Sequence, residues 1–362
     1  MANAARIISL ATAFPHHPFS QEYLAKRACE RMLGAGWEHD PGRAEQGRQL
    51  IHLFEATRVR ERQFAVNLPD YYAQPRTTGQ RMATYESAAL ELAGTAFREL
   101  VEGDAGRNLA ASISDLIVVS CTGYTAPGLD ILLARDFSLP RDVRRVCVGH
   151  MGCHGALVGL RQCLGAVRAN PGASAALVSV ELASLHFTDA LDMEALTAYA
   201  LFGDAAAALL VSTDSDADGP EIVDTYCAAE FAAANQMSWT ITDTGFVMGL
   251  SPRVPVTLRR TVAGVIDNLL TPHGLSVGDV KHWIVHPGGP AILEVIAGKL
   301  ELSEEQMAPS WDVLARHGNC SSATVLLILS EVLRSGRARP GDYGVMMAFG
   351  PGLTLETCLL RF

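Results

Sequence analysis

The sequence contains no basic tract, no CxxC pair and no long apolar run that is free of charges. Its 29 Lys and Arg residues and 39 Asp and Glu residues give a net charge of −10, which argues against nonspecific binding to nucleic acid or to an anionic membrane. The N-terminal residues lack the basic start and long apolar core of an export signal, and no segment is suited to span a bilayer. We therefore expect a cytoplasmic protein with no nucleic-acid partner.

The eight cysteines form neither a disulfide framework nor a metal site with typical spacing. They lie mostly in apolar or glycine-rich runs, which favours reduced thiols. Cys147, His150, Cys153 and His154 include zinc-binding residue types, but no second matching pair accompanies them. We expect neither a metal ion nor a redox cofactor.

The chain has 362 residues, of which 49% are hydrophobic, and so exceeds the size of an ordinary single core. Apolar runs typical of buried strands alternate with helix-periodic segments. The predicted strands are residues 5–14, 115–120 and 175–180, and the predicted helices are residues 21–33, 81–102 and a segment that follows Cys153 to about Ala169. A polar, turn-rich linker at residues 212–220 separates an N-terminal half, residues 1–215, from a C-terminal half, residues 216–362. The pattern predicts layered α/β architecture in two comparable halves.

Cys153 is the first candidate for a reactive side chain. It follows a short apolar strand signal, has glycines close on both sides, and precedes a helix-periodic segment. Small residues allow a sharp turn, and the N-terminal end of the helix favours thiolate over thiol. The alternative is a packed core cysteine, since free cysteines are often buried as small hydrophobes.

Two later segments offer partners for this cysteine. His286, in WIVHPGGP, ends a short apolar strand and faces a turn-rich loop, where an imidazole can act as a base. Asn319, in HGNCSSA, stands beside a glycine and ahead of an apolar helical stretch. Taken singly, the alternatives are a structural histidine and an asparagine that serves as a helix cap or turn residue. At three strand-to-helix junctions, the residues together supply the nucleophile, proton partner and amide donor that acyl transfer requires.

Five segments resemble the type III polyketide synthases, the chalcone and stilbene synthase-like enzymes of the thiolase fold. They are MGCHGA around Cys153, ALFGDAAAALLV at residues 200–211, WIVHPGGPAI around His286, GNCSSA around Asn319 and GVMMAFGPGLTLET at residues 344–357. The segments occur in the family's order and at roughly its spacing. The chain is therefore similar to bacterial members of that family.

The resemblance implies a duplicated, layered αβαβα fold and a homodimer. Cys153, from the first half, would carry the acyl group, and His286 and Asn319, from the second half, would complete a triad. A protonated His286 would hold the thiolate, and donors from His286 and Asn319 would stabilise the enolate formed when a malonyl thioester loses CO₂. The substrates would be small-molecule thioesters, bound to coenzyme A or to an acyl carrier protein.

The resemblance also implies residues that contact the substrate where the entrance tunnel meets the active site. Phe202 and Met248 would be gatekeepers, and Met248 replaces the usual phenylalanine with a more flexible side chain. Ala126 and Ala183 suggest room for a long aliphatic chain, with His186 as an added polar contact. The full set is Phe202, Met248, Cys121, Ala126, Ala183, His186, Ser321, Gly350, Pro351 and Gly352. The alternative is simple packing, or a plain turn for the glycine-proline-glycine segment.

Substrate delivery departs from the plant members, in which basic residues on an N-terminal helix contact the phosphates of coenzyme A. The corresponding stretch here offers only Arg48 and His52. Arg58, Arg60 and Arg62 follow and alternate; on an extended segment they would share one face and meet coenzyme A phosphates or an acidic carrier protein. The alternative is a solvated, charged strand edge.

These features predict a polyketide-type condensing enzyme that loads an acyl group on Cys153, extends it with malonyl units and releases a pyrone or resorcinol-type product. A rival is a ketosynthase that joins two β-ketoacyl chains, brought by coenzyme A or carrier proteins, into an α-pyrone. A third alternative is a noncatalytic partner subunit on the same fold. The intact Cys153, His286 and Asn319 argue against that last alternative.

Overall fold

The computed structural model describes residues 4–103, 109–187, 193–214 and 218–362. The strands within these ranges are β1 (Arg6–Ala13), β2 (His17–Ser20), β3 (Glu61–Phe64), β4 (Ile113–Ser120), β5 (Arg144–Gly149), β6 (Ser174–Leu182), β7 (Asp204–Ser212), β8 (Glu221–Ala229), β9 (Met237–Thr242), β10 (Gly245–Leu250), β11 (Val280–Val285), β12 (Tyr343–Gly350) and β13 (Thr354–Arg361). The helices are α1 (Gln21–Leu33), α2 (Pro41–Ala56), α3 (Leu68–Tyr71), α4 (Thr78–Glu102), α5 (Leu129–Asp136), α6 (Gly155–Ala169), α7 (Met193–Leu201), α8 (Val254–Leu270), α9 (Pro290–Leu300), α10 (Glu304–His317) and α11 (Thr324–Arg334).

The predicted helices and strands are confirmed, although several are longer than expected. Helix 21–33 agrees with α1, and helix 81–102 begins earlier, at Thr78, where Thr77 and Gln80 form a capping box. The predicted boundary between residues 215 and 216 lies outside the described residues. None of the described helices combines the length and apolar character needed to cross a membrane.

Nine strands form one sheet in the order β11-β12-β13-β8-β1-β7-β6-β4-β5. In the first half, β4 is parallel to β6, β6 is antiparallel to β7, and β7 is antiparallel to β1. In the second half, β11 is parallel to β12, β12 is antiparallel to β13, and β13 is antiparallel to β8. The two halves therefore repeat one topology and meet where Arg6 pairs with Glu221. This repetition confirms the expected duplication.

Alternate side chains of the strands pack into different layers of the core. In β6, Val178 packs on the α4 side, whereas Leu177 belongs to a central cluster with α6 and α11. In β12, Met346 belongs to the same central cluster, whereas Met347 packs on the α8 side. Helices α6 and α11 contact strands of both halves and so lie between them. The result is the layered αβαβα arrangement, which brings the ends of β5, β11 and β12 close together.

Arg62 is a buried structural residue. Its side chain has no exposed surface, and its Nη1 donates to the carbonyl oxygens of Tyr199 and Phe202 at 2.6 and 2.8 Å. Its Nη2 donates to Gln21 Oε1 at 2.7 Å. Burial lowers the pKa of this guanidinium to about 10, so that it stays protonated at neutral pH. Arg62 thus ties α1 to the segment that ends α7.

The prediction that Arg62 shares a phosphate-binding face with Arg58 and Arg60 is wrong. Arg58 has a left-handed backbone, with φ 59°, and strand β3 begins only at Glu61. The alternation of buried and exposed side chains changes phase between Arg60 and Glu61, which are both exposed, so the three arginines do not share one face. Arg58 and Arg60 are exposed, whereas Arg62 points into the core.

We expect Arg62→Ala to lower the free energy of unfolding by about 3–5 kcal/mol, because two buried carbonyl groups and a buried amide lose their partner. Chemical denaturation measures this loss. Arg60→Ala, at an exposed position in the same segment, is the matched control and should change stability by less than about 0.5 kcal/mol. Equal small losses in both variants would contradict a structural role for Arg62.

Candidate active site

Cys153 lies in a tight turn between a strand and a helix, as the sequence predicts. β5 ends at Gly149, a 3₁₀ turn spans Gly152–His154, and α6 begins at Gly155. Gly152 has φ +71°, and a Cβ atom there would lie 2.4 Å from Cδ of Pro351. Only glycine allows this approach of the two loops. Cys153 is 4% exposed.

His286 directly follows β11. Its main-chain N–H donates to the carbonyl of Met347 at 2.8 Å, which fixes the residue at the end of the sheet. The side chain is buried, and neither ring nitrogen has a hydrogen-bond partner among the described residues. Both nitrogens are therefore available to a substrate or to a neighbouring reactive group.

Asn319 lies between α10 and α11, so the expectation of a strand-to-helix junction is wrong here. Its N–H donates to the carbonyl of Leu201 at 2.9 Å, and its carbonyl accepts from Gly203 N–H at 3.0 Å, in a bridge with Phe202. Asn319 Oδ1 accepts from the N–H of Ser321 at 2.8 Å. Asn319 is therefore a turn residue, and its side-chain NH₂ group remains as a hydrogen-bond donor.

The three residues meet in one cavity of about 500 Å³. Most of its other lining residues are apolar, and among them are Phe202, Met237, Met248, Leu250, Val254, Leu258, Ile292 and Phe349. Within the described residues, its lining includes no lysine or arginine. The cavity thus joins a thiol, an imidazole and an amide in an apolar setting.

The electrostatics of this cavity disfavour charge on either reactive group alone. Burial raises the pKa of the Cys153 thiol to about 12, although hydrogen bonds from Ser321 and Asn319 act in the opposite direction. Burial also lowers the pKa of His286 to about 3, with a smaller contribution from His154. Transfer of the thiol proton to the imidazole would charge both groups together, so that opposite charges offset the loss of water. Burial thus favours the neutral form of each group when the other is also neutral.

Glu181 is a buried carboxylate near the nucleophile to which the sequence analysis gave no role. It has no exposed surface and accepts from the N–H of Cys121 at 3.0 Å, from Thr122 Oγ1 at 2.8 Å and from Ser322 Oγ. Burial raises its pKa. Its negative charge raises the pKa of the Cys153 thiol.

Phe202 and Met248 line both the main cavity and a second one of about 30 Å³. The second cavity is also lined by the predicted residues Cys121, Ala183, Ser321 and Pro351. Trp239, which the sequence analysis did not single out, lines it too and donates from Nε1 to the carbonyl of Cys121 at 2.7 Å. The free volume beside Ala183 is therefore small, and the main cavity holds most of the space near Cys153.

The predicted polar contact of His186 with the substrate is wrong. His186 is buried, its Nε2 bonds to the carbonyl of Thr122 at 2.6 Å, and its Nδ1 accepts from the N–H of Phe246 at 3.1 Å. Both ring nitrogens are therefore used within the protein. Ala126 is exposed and lines neither cavity.

The glycine-proline-glycine segment acts through close packing. A Cβ atom at Gly350 would lie 2.0 Å from Nδ1 of His154, and Gly352 has φ +87°. Gly350 and Gly352 line neither cavity, whereas Pro351 lines the smaller one. The segment therefore holds the Cys153 turn in place.

Two of the remaining predicted basic contacts, Arg48 and Arg58, are already paired. Arg48 forms an ion pair with Glu45, and Arg58 pairs with Glu294 at 2.9 Å and lies over the ring of Trp311. No group of His, Cys, Asp and Glu residues that could hold a metal ion occurs in the part of the chain that the structure describes.

Comparison with protein-family models gives two matches. The N-terminal domain of chalcone and stilbene synthases matches residues 2–215, and the C-terminal domain of the same family matches residues 227–362. Together the two models cover most of the chain.

Among curated proteins, the chain is 31% identical over 368 residues to the alpha-pyrone synthesis polyketide synthase-like Pks18 of Mycobacterium tuberculosis, covering 98% of this chain and 90% of that protein. It is 34% identical over 360 residues to 1,3,6,8-tetrahydroxynaphthalene synthase of Streptomyces peucetius subsp. caesius, covering 98% of this chain and 93% of that protein.

Solved structures agree with the architecture described above. PKS-I from the brown alga Ectocarpus siliculosus superposes with a TM-score of 0.89 at 30% identity, covering 100% of this chain and 99% of that one. The 1,3,6,8-tetrahydroxynaphthalene synthase of Streptomyces coelicolor A3(2) superposes with a TM-score of 0.89 at 26% identity, covering 99% of both chains.

The two groups that act on the Cys153 thiol should change its reactivity in opposite directions. Glu181→Gln removes a negative charge and should speed alkylation by iodoacetamide at neutral pH, whereas Ser321→Ala removes a stabilising hydrogen bond and should slow it, each by several-fold. Peptide mass spectrometry is the measurement, because it separates Cys153 from the exposed thiols of Cys147 and Cys227. A Glu181→Gln variant that reacts no faster would show that no charge on Glu181 acts on Cys153.

Proposed function

The chain belongs to the chalcone and stilbene synthase family of type III polyketide synthases, which are acyl-transferring condensing enzymes, and on that premise we propose a reaction for its main cavity. Cys153 accepts an acyl group from a thioester, and the chain then grows by decarboxylative condensation with malonyl units. The observation that carries this proposal is the meeting of Cys153, His286 and Asn319 in one apolar cavity.

Acyl loading begins with proton transfer from Cys153 to His286. The thiolate attacks the thioester carbonyl, a C–S bond forms to Sγ, and the donor leaves as a thiol that recovers the proton from His286. Because one thioester replaces another, no metal ion or redox cofactor is needed.

In chain extension, His286 and Asn319 would stabilise a second negative charge, that of an enolate. Loss of CO₂ from a malonyl thioester leaves an enolate, and the side-chain NH₂ of Asn319 and an N–H of His286 would donate to its oxygen. The donating end of Asn319 is fixed because its Oδ1 already accepts from Ser321. The carbanion attacks the acyl group on Cys153, forming a C–C bond and releasing the thiolate.

The product we propose is a pyrone or a resorcinol-type ring. Curated relatives are named for alpha-pyrone synthesis, for 1,3,6,8-tetrahydroxynaphthalene and for 3,5-dihydroxyphenylacetyl-CoA. The main cavity supports an acyl starter with a substantial alkyl portion, because its lining is mostly apolar. The cavity of about 30 Å³ that Phe202 and Met248 also line leaves little space for a growing polyketide, which supports few chain extensions before ring closure.

One observation favours a second candidate, the ketosynthase that joins two β-ketoacyl chains. Among the described residues, no lysine or arginine lines the cavity that would receive coenzyme A. A donor bound to a carrier protein would need fewer phosphate contacts inside the tunnel. The cytoplasmic location stays the prediction made from the sequence.

We propose a homodimer formed along the free edge of β5. Val146 and Cys147 on this edge strand are exposed, and Tyr124 and Met151 beside it are exposed as well. An exposed apolar edge strand is a template for pairing with another chain.

Sedimentation velocity should give about twice the 38.7 kDa chain mass, and Val146→Lys should shift the protein toward monomer. A monomeric wild type would refute the proposal.

Mass spectrometry of the intact protein tests the reaction. Incubation with medium- and long-chain acyl-CoAs should add one acyl mass to the wild type and none to Cys153→Ala, and addition of malonyl-CoA should yield pyrones. A chelator should leave the yield unchanged. Failure of every thioester donor to modify Cys153 would refute the proposal, whereas modification by carrier-bound donors alone would favour the second candidate.

The proposed role of Asn319 predicts a separation of the two steps. Asn319→Ala should still be acylated on Cys153, but it should decarboxylate malonyl-CoA about 10²–10³-fold more slowly, because one donor to the enolate is lost. The measurement is release of CO₂ from labelled malonyl-CoA. Loss of acylation to the same extent as loss of decarboxylation would assign Asn319 to the thiol and not to the enolate.

A further inference from the structure

The mouth of the main cavity is marked by those lining residues that are themselves exposed. They are Glu194, Pro252 and Ala291, whereas Cys153 and His286 at the inner end are buried. Glu194 is the one ionisable side chain at this mouth among the described lining residues. A donor that carries phosphate would therefore pass a carboxylate and, within the tunnel, meet no cation.

Three arginines stand next in sequence to lining residues: Arg58 follows Thr57, Arg253 follows Pro252, and Arg259 follows Leu258. Of these three lining residues only Pro252 is exposed, whereas Thr57 and Leu258 are buried. Arg58 is already engaged, since its Nη2 lies 2.9 Å from Oε1 of Glu294 and its guanidinium lies 4.4 Å from the centre of the Trp311 ring. A phosphate would have to compete with both partners for Arg58.

Arg253 is free to bind a ligand. It is exposed, and its side chain makes no hydrogen bond or ion pair with any described residue. The turn that carries it is fixed, because its main-chain N–H donates to Ser251 Oγ at 3.2 Å. The residues around it, Ser251, Pro252, Val254 and Pro255, all line the cavity. The guanidinium therefore stands at the rim of the tunnel that leads to Cys153.

We propose that Arg253 binds the phosphate of the incoming thioester donor. The inference rests on the proposed function, because it supposes that acyl groups enter through this mouth to reach Cys153. A guanidinium suits the role, since its planar set of N–H donors can form two hydrogen bonds to one phosphate group. Coenzyme A and the phosphopantetheine arm of a carrier protein both present such a phosphate beyond the pantetheine chain.

Glu194 should act in the opposite sense. Its negative charge at the same mouth repels the phosphate that Arg253 attracts. Glu194→Gln should therefore raise the rate constant of acylation by acyl-CoA. The effect of either residue should fall as the salt concentration rises, because both groups are exposed and their charges are screened.

The experiment compares donors with and without phosphate. The second-order rate constant for acylation of Cys153 is measured by mass spectrometry with acyl-CoA and with the N-acetylcysteamine thioester of the same acyl group. Arg253→Gln should lose about tenfold with acyl-CoA, as expected for a charge-assisted contact, and nothing with the phosphate-free thioester. Arg260→Gln is the matched control, because Arg260 lies on α8, is exposed, and neither it nor its two sequence neighbours line the cavity.

Each outcome decides something different. Equal losses with both donors, or no loss with either, would overturn the phosphate role of Arg253 while leaving the acylation reaction intact. A wild type that neither donor acylates would instead count against coenzyme A-type loading itself, and the same variants would then be compared with an acyl carrier protein as the donor. A tenfold loss there in Arg253→Gln alone would place the contact on the carrier's phosphopantetheine phosphate, and no loss would overturn the proposal.

Discussion

Burial of a thiol and an imidazole in one apolar cavity is the constraint on which the rest of this structure depends. Cys153 and His286 are buried, so that charge on either residue alone is unfavourable. The protein must then supply the hydrogen bonds that water would give. Hydrogen bonding by Ser321 and Asn319 lowers the pKa of the Cys153 thiol, whereas the negative charge of Glu181 raises it. Such a site suits thioester exchange and decarboxylation, because both reactions develop one negative charge at a fixed place.

The donors keep their positions because the junction between the two halves allows little movement. Asn319 is joined to the Phe202 segment by main-chain hydrogen bonds, and Arg62 holds the carbonyl of Phe202 from the other side. Asp204 accepts from the main-chain N–H groups of Ser184 and Ala65 at 2.9 and 2.8 Å and so joins their two segments to the start of β7. A change at this junction should therefore alter catalysis as well as stability.

The sequence was informative where the cause of structure is local. The α1 helix and the turn around Cys153 follow from apolar spacing and small residues within a short segment. The predictions failed where the outcome depends on distant segments: Arg62 bonds to Tyr199, 137 residues away, and His186 bonds to Phe246, 60 residues away. Glu181 had a signal, since it is the one acidic residue in the otherwise uncharged strand Ser174–Leu182. Its role required knowing which loops meet that strand end.

The pH dependence of Cys153 alkylation, with and without His286, tests most directly the claim that the two residues acquire charge together. Iodoacetamide rates at Cys153 would be measured by peptide mass spectrometry from about pH 6 to about pH 10 in the wild type and in His286→Gln. In the wild type, Cys153 should react with iodoacetamide at neutral pH. In His286→Gln the reaction should require a much higher pH, because burial then raises the pKa of the thiol toward about 12 without an imidazole to take the proton. Identical pH profiles in the two proteins would show that His286 does not take the proton of the Cys153 thiol.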